Sequence, residues 1–209
     1  MAGRPVLRAT RAEKRERTRA ELIEVAYRRF RAQGFRRTSL EEIADLAGYT
    51  KGAVYSNFPG GKDELFLALI EEHITARMHE YVAAALAEPT FEGAIRAVAR
   101  RLSDYGAREP GWGPVLVEFW SHASRREGLR EAASAAHERQ VDIVAGGLDA
   151  LAARHAVAFR IPARELARAC AALARGLGAE RFLNPSAAPP EQFEAMVVAL
   201  VLGLIAEVT

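Results

Sequence analysis

One cysteine, Cys170, stands in the whole chain, which excludes an internal disulfide. The five histidines are scattered and none forms a zinc-ligand spacing such as Cys-x-x-Cys, so neither a structural metal nor a cofactor is expected. The neighbours of Cys170, RACAALARG, make it a small buried residue at a helix contact rather than a redox centre. Long apolar runs are also missing: the longest uncharged one, Ala195 to Ala206, falls well short of the roughly 20 residues of a membrane span. The opening MAGRPVLRATRAEKRERTRAE is basic but has no apolar stretch after its charges, so a cytoplasmic chain with no membrane partner is expected. No nucleophile elbow, metal cluster or paired-carboxylate motif appears, and Gly60-Gly61-Lys62 lacks the preceding strand and the spacing of a phosphate loop. An enzyme is therefore not expected.

Alternation of period two is absent and β-branched residues are sparse outside the C-terminal run. What remains is helical periodicity almost everywhere, in a chain of 209 residues that is 50% hydrophobic and can bury a sizeable core. The expected fold class is all-α, with about nine helices. The first runs from Arg11 to about Gln33, with Leu22, Ile23, Ala26 and Phe30 on one face and Gly34 as its stop. The second starts at the cap Ser39, with Glu42 as its capping partner, and buries Leu40, Ile43, Leu46 and Ala47 before Gly48. The third starts after the cap Thr50, and beyond Pro59-Gly60-Gly61 a longer helix covers about 62–87. Later breakers leave helices near 90–107, 112–125, 128–156, 163–179 and 190–207. The arginine- and alanine-rich stretches near 94–101 and 163–175 read as helix surfaces.

The net charge of +2 conceals an asymmetry, because residues 1–62 hold 14 Lys and Arg against 7 Asp and Glu, leaving 15 against 20 for residues 63–209. That division suggests an N-terminal domain, 1–62, with an anionic partner, and a C-terminal helical domain, 63–209. The stretch AGYTKGAVYSNF sharpens it. Lys51 stands at the positive end of a helix dipole and Gly52 costs roughly 1 kcal/mol relative to Ala in a helix, so folding alone would select neither. An anion at that end reverses the sign of the lysine's contribution. Val54 and Phe58 face inward at i, i+4, which leaves Lys51, Gly52, Tyr55 and Ser56 as a small, polar, cationic outer face. Two helices joined by a short glycine-containing turn, the second with such a face, form the helix-turn-helix pattern.

The segment TSLEEIADLAGYTKGAVYSNFPGGKDELF, with the Gly34-Phe35 helix end before it, resembles the DNA-binding domain of the tetracycline-repressor (TetR) family of bacterial transcription regulators over about residues 15–68. One departure is visible: Lys62 lies four residues after Phe58, where the family more often has three. The resemblance implies that Thr38 or Ser39 meets a phosphate from the start of the second helix and that Tyr55 and Lys62 clamp the DNA backbone. It implies that Lys51, Gly52, Ala53 and Ser56 lie against base edges, beside the cap Thr50. A lysine suits guanine O6 or N7 and a phenol suits a phosphate oxygen, in keeping with that division. The arm carrying Arg4, Arg8, Arg11, Lys14, Arg15 and Arg17 either tracks DNA or is disordered.

In the second domain the last helix carries Phe193, Met196, Val197, Leu200, Val201, Leu204, Ile205 and Val208 on one stripe, widened by Val198 and Leu202. The helix before it sets Ala167, Ala171, Ala174 and Gly178 beside Leu166, Cys170, Leu173 and Leu177. These two helices form either a four-helix bundle between the subunits of a homodimer, as the family's last two helices do, or intramolecular core. Aromatic and polar residues gather upstream: Tyr81, Tyr105, Trp112, Phe119, Trp120, His122 and His137. The resemblance implies a small-molecule effector in this region. Tyr105, Trp112, Phe119 and Trp120 are the expected lining, Glu118 and His122 the expected polar contacts, and Pro110-Gly111-Trp112-Gly113 an entrance; the alternative for each aromatic is plain core. An apolar or planar compound suits that set. The function expected is a homodimeric regulator of transcription, a repressor that binds a palindromic operator in double-stranded DNA and is released by its effector. A TetR-like activator, and a helical ligand-binding or scaffold protein without operator activity, are the alternatives.

Overall fold

The first helix, α1 (Arg11–Gln33), begins at a capping box: Thr10 Oγ1 accepts from the Glu13 amide at 3.2 Å and the Glu13 carboxylate accepts from the Thr10 amide at 2.6 Å. It ends at Gly34, whose φ of 87° few other residues tolerate. In the computed structural model, residues 10–108, 111–184, 186 and 189–206 are described, apart from the side chains of 105–107 and 190. Arg4, Arg8, Val208, Pro110 and the Tyr105 side chain, which the sequence singled out, lie outside the described residues.

Three short helices follow: α2 (Leu40–Ala47), α3 (Lys51–Asn57) and α4 (Gly61–Leu69). A π-helical segment, Ile70–Thr75, then leads without a break into α5 (Ala76–Leu86). After it come α6 (Phe91–Arg108), α7 (Trp112–Ala123), α8 (Glu127–His155), α9 (Ala163–Leu183) and α10 (Pro190–Gly203). Among the described residues these make nine helical rods, as expected, once α4, the π segment and α5 are taken as one. The only extended pairing among them is an isolated bridge between Phe159 and Ile205, closed by Arg160 N–H to Leu204 O and Ala206 N–H to Ala158 O, each at 2.8 Å.

The chain divides into two compact units, Met1–Leu69 and Ile70–Thr209. The boundary expected at 62/63 thus falls seven residues later. The reason is the inner face of α4, where Leu65, Phe66 and Leu69 are wholly buried with α1. Phe66 meets Phe30 and Phe35 edge-on at 5.0 and 5.2 Å, and Phe30 stacks on Phe35 at 5.6 Å. Each such ring contributes on the order of 1.5–3 kcal/mol by leaving water, so α4 cannot part from α1 cheaply. Leu46 departs from expectation: it is 57% exposed. At about 100° per residue Leu40, Ile43, Ala44 and Ala47 share a face, and Leu46 falls about 110° away from it. Nor does Glu42 complete a capping box. Ser39 Oγ accepts from the Glu42 amide at 3.1 Å, but the Glu42 carboxylate turns to Arg29 and to Gln33 Nε2, tying α2 to the end of α1.

In the second unit α6 packs along α10, and α8 lies against both α9 and α5. Gly147 of α8 permits the latter approach, since a Cβ there would stand 2.8 and 2.9 Å from the two methyls of Val82. The core holds Leu166, Val197 and Val201, which are 0%, 4% and 2% exposed. That corrects their assignment to a face between subunits: within one chain they already have their neighbours, Phe91, Ile95, Leu148 and others. Leu173, Leu177, Leu200 and Leu204 are partly buried against the same core, and Met196 is 39% exposed.

Candidate nucleic-acid interface and ligand cavity

Gly48 closes α2 in the left-handed region, φ +74°, and the Tyr49 amide donates to Ala44 O at 2.8 Å, which turns the chain sharply into α3. Thr50 caps α3 through Oγ1, which accepts from the Ala53 amide at 3.2 Å. Val54 and Phe58, both fully buried, fasten the helix from below, with Arg19 over the Phe58 ring at 4.7 Å. Lys51, Gly52, Tyr55 and Ser56 are left exposed on the outer side, with Ala53 half-buried beside them.

Gly52 is informative because its backbone is ordinary. Its φ is not positive, and the nearest atom to an added Cβ would be Thr50 Oγ1 at 3.8 Å, an ordinary contact. The fold accepts a side chain here, and the helix would gain from one. Lys51 extends from the same turn onto the Glu41 carboxylate and lies 5.9 Å from the Tyr55 ring centroid. The hydrogen bond between them, with their Coulombic attraction behind it, holds the Glu41 carboxyl below the usual carboxylate range and raises the Lys51 ammonium above its usual value. Ser56 Oγ donates to Ala53 O at 2.9 Å, and Arg15 of α1 reaches Ser56 O at 3.4 Å.

Two residues expected at the phosphates are engaged elsewhere. Thr38 is 1% exposed; its hydroxyl donates to Gly34 O at 2.7 Å and accepts from Gln33 Nε2 at 3.3 Å. Of the pair Thr38 and Ser39, only Ser39 is exposed. Lys62 donates to the carbonyls of Phe35, Arg36 and Thr38 at 3.0, 3.3 and 3.0 Å, and its ammonium stands 4.6 Å over the Phe35 ring. Three donors on three acceptors leave it as the fastener of the α1–α2 loop, not a clamp for an outside anion.

The second unit encloses a cavity of about 230 Å³. Its wall is aliphatic over most of its area, from Ile70 and Ile74 in the π segment to Val144 and Leu148 of α8 and Val197 of α10. Of the expected lining residues whose side chains are described, only Trp120 is there. Trp112 and Phe119 are 3% and 0% exposed, buried where α7 packs on α8 and α9, and neither lines the cavity. Glu118 and His122, on the same helix, do not line it either. Tyr81 and His137, noted only as part of the aromatic gathering, do. So does Cys170, whose thiol burial pushes up to about 11, leaving it protonated and unreactive near neutrality.

The residue the sequence concealed is Arg175. Read as part of a helix surface, the 163–175 stretch behaves so at Arg164 and Arg168, which pair with Glu138 and Asp142. Arg175 instead enters the cavity wall with its guanidinium 4.8 Å over the Trp120 ring. Its place four residues after Ala171, on the small-residue face of α9, was the available clue.

Comparison with known proteins follows the same division. Residues 22–69 match the family model of bacterial regulatory proteins of the tetR family, and residues 91–206 match that of the BetI-type transcriptional repressor C-terminal region. The regulator TtgR of Pseudomonas putida is 44% identical over 81 residues, 38% of this chain and 36% of that protein. The chain thus spans about a third of the length of the first curated relatives it matches. LmrA of Bacillus subtilis is 30% identical over 134 residues, 60% of this chain and 68% of that regulator. NalD, the secondary repressor of the MexAB-OprM multidrug efflux pump in Pseudomonas aeruginosa, shares the fold with a TM-score of 0.64 at 21% identity, over 92% of this chain and 98% of that one. With the second model alone matching more than half of its length, the chain belongs to the TetR family of bacterial transcriptional regulators, which are DNA-binding proteins and not enzymes.

Proposed function

We propose that this protein is a ligand-responsive repressor that binds a palindromic operator as a homodimer and leaves it when a small molecule fills the cavity of its second unit. The observation that carries the reading is Gly52: an exposed glycine beside Lys51, in a helix whose own geometry has room for a side chain. A glycine that the fold does not require is explained by something outside the fold that comes close, and a base edge is such a thing. Lys51, Ala53 and Ser56 then read bases, while Tyr55, Ser39 and Thr50 hold phosphates.

One such head reads a few base pairs, and two held about one DNA turn apart, roughly 34 Å, read an inverted repeat. The surface of α9 and α10 supports pairing of two copies. Phe182, Leu183 and Met196 are exposed at 58%, 83% and 39%, and a Cβ at Gly176, Gly178 or Gly203 would meet nothing within 4 Å. Leu173, Leu177, Leu200 and Leu204 complete that apolar side. The cavity wall includes the π segment at the start of the second unit, so a ligand there acts on the stretch of helix by which the chain enters that unit. Coupling of the two equilibria is reciprocal, and operator DNA weakens the ligand by the factor by which the ligand weakens DNA. An efflux pump, of the kind NalD represses, is one class of target for such a repressor to govern.

Selection of duplexes from a random-sequence library by the purified protein tests this. An enriched inverted repeat is expected, with log K falling steeply against log salt. Lys51→Ala should lower affinity for it roughly ten- to hundredfold, the worth of a good base contact, and Tyr55→Ala should lower it on all sequences alike, with the dimer intact in both. Absence of any enriched site, or undiminished affinity in both variants, refutes the reading.

A further inference from the structure

Arg175 is half-buried with no carboxylate to meet it. Among the described residues it has neither an ion pair nor a hydrogen bond, and its guanidinium rests only on the Trp120 ring. Glu138, the residue after His137, is engaged by Arg164 and by both terminal nitrogens of Arg168, which hold its carboxyl down at about 2. No Asp or Glu lines the cavity among the described residues. A cation drawn partly out of water with no counter-charge lowers stability, and burial depresses the Arg175 guanidinium, followed by repulsion from Arg168. The contact with the Trp120 ring offsets only part of that cost, so the fold by itself does not account for the arginine.

The surroundings supply a second and a third observation. His137 lies edge-on to Trp120, ring centroids 5.8 Å apart, with its Nδ1 buried and without a hydrogen-bond partner. Trp120, His137 and Arg175 also line a second, more open cavity of about 230 Å³, together with Ser124, Arg130 and Ser134. An aliphatic chamber and a more open vestibule that also carries Arg130 thus share one wall, built from these three side chains and Ala133. That arrangement matches a molecule with an apolar body and a negative end, since the body leaves water for the chamber while the end meets the guanidinium on the shared wall.

We propose that the effector is an amphipathic anion, its carboxylate held by Arg175 with His137 beside it and its apolar tail lying in the chamber along Ile74, Met78 and Val144. This rests on the reading of the cavity as the effector site. The guanidinium fork takes both oxygens, and the neutral imidazole offers one further N–H. A quaternary ammonium does not suit this wall, because its charge would meet the like charge of Arg175 beside Trp120.

Titration calorimetry of the full chain with octanoate, octanol and octyltrimethylammonium decides the matter, because the three probes share a tail and differ in the head. Octanoate should bind at least tenfold more tightly than octanol, and the ammonium should not bind. Arg175→Leu should erase the preference for octanoate while keeping the octanol affinity, and Arg175→Lys should restore part of it, each variant first shown to melt cooperatively. Equal binding of octanoate and octanol, no binding of octanoate, or an unchanged preference in Arg175→Leu overturns the proposal. Octanoate binding with the expected head-group pattern but without any loss of operator affinity upholds the anion site and refutes instead the coupling proposed between cavity and DNA.

Discussion

Helix α3 and the cavity put their unfavourable residues to opposite uses. In α3 the odd choices, Lys51 and Gly52, face outward within two adjacent positions of one short helix, and a buried Val54 and Phe58 on the other side keep them there. In the second unit the odd choice, Arg175, faces inward, and the residues that give it meaning come from α7, α8 and α9, far apart in the chain. A site built on one helix can be read from spacing, because 3.6 residues per turn fixes which side chains are neighbours. A site assembled from several helices depends on how each is rotated, and rotation is set by packing.

The largest effect expected on this comparison comes from a residue that serves α3 indirectly. Lys62→Ala leaves the carbonyls of Phe35, Arg36 and Thr38 without their donor, and should cost the first unit about 2–3 kcal/mol, read as a lower denaturant midpoint. Operator affinity of the folded variant should then fall little at saturating stability conditions, such as low temperature. If Lys62→Ala leaves the midpoint unchanged yet loses DNA affinity with a shallower salt slope, the residue is a phosphate clamp after all and the internal role assigned to it is wrong.

The matching test in the second unit is Gly147→Ala. The added methyl would stand 2.8 Å from Val82, in a place where α5 and α8 approach on a glycine and the cavity wall passes. Overpacking of this kind costs about 1–3 kcal/mol, and here it should also reduce ligand binding, measured by thermal melts with and without octanoate. Gly146→Ala, one residue away with open space, is the control: helix propensity should raise its stability by about 1 kcal/mol and ligand binding should stay unchanged. Equal effects at the two positions would show that helix propensity, not close approach, governs this stretch.

These contrasts explain how far the sequence could be read. Thr50, Val54, Phe58 and the exposed quartet of α3 followed from local rules, as did the ends of nearly every helix. Leu46 was misplaced by its hydrophobicity, although its angle around α2 excluded it from the face of Ile43. Leu166, Val197 and Val201 were assigned to an interface because a helix apolar on several sides needs several neighbours, and periodicity does not say whether those belong to the same chain. Trp112 and Phe119 were attractive as lining because they are aromatic, whereas the wall is mostly aliphatic and its polar marker is an arginine that composition made look like surface. The chemistry of the first unit is local and legible, and that of the second is a property of the packing.

A gentler perturbation in α3 is Gly52→Ala. Helix propensity and the absence of any clash predict that it stabilises the isolated protein by about 1 kcal/mol. The same methyl stands on the face proposed for DNA, so operator affinity should drop while the melting temperature rises. Opposite signs in the two measurements are what a functional glycine requires. A variant that gains stability and keeps its affinity would leave Gly52 without an explanation and remove the observation on which the DNA-reading assignment rests.

The smallest effect, and the one most specific to the geometry of α3, belongs to Glu41. Its carboxylate holds Lys51 in the free protein, and both groups are exposed, so the pair adds little to stability. In the proposed base-reading role the lysine leaves that partner for a base edge, and the remaining carboxylate faces an anionic duplex. Glu41→Gln removes both penalties and should raise operator affinity by about two- to fivefold, with a larger gain on unrelated duplexes, where no base contact rewards the lysine for letting go. Discrimination between operator and random DNA should therefore fall as affinity rises. If affinity rises equally on both, Glu41 is only a repulsive surface charge; if the gain is confined to the operator, the ion pair restrains base reading itself, and α3 is held in check by its neighbouring helix until the right sequence displaces it.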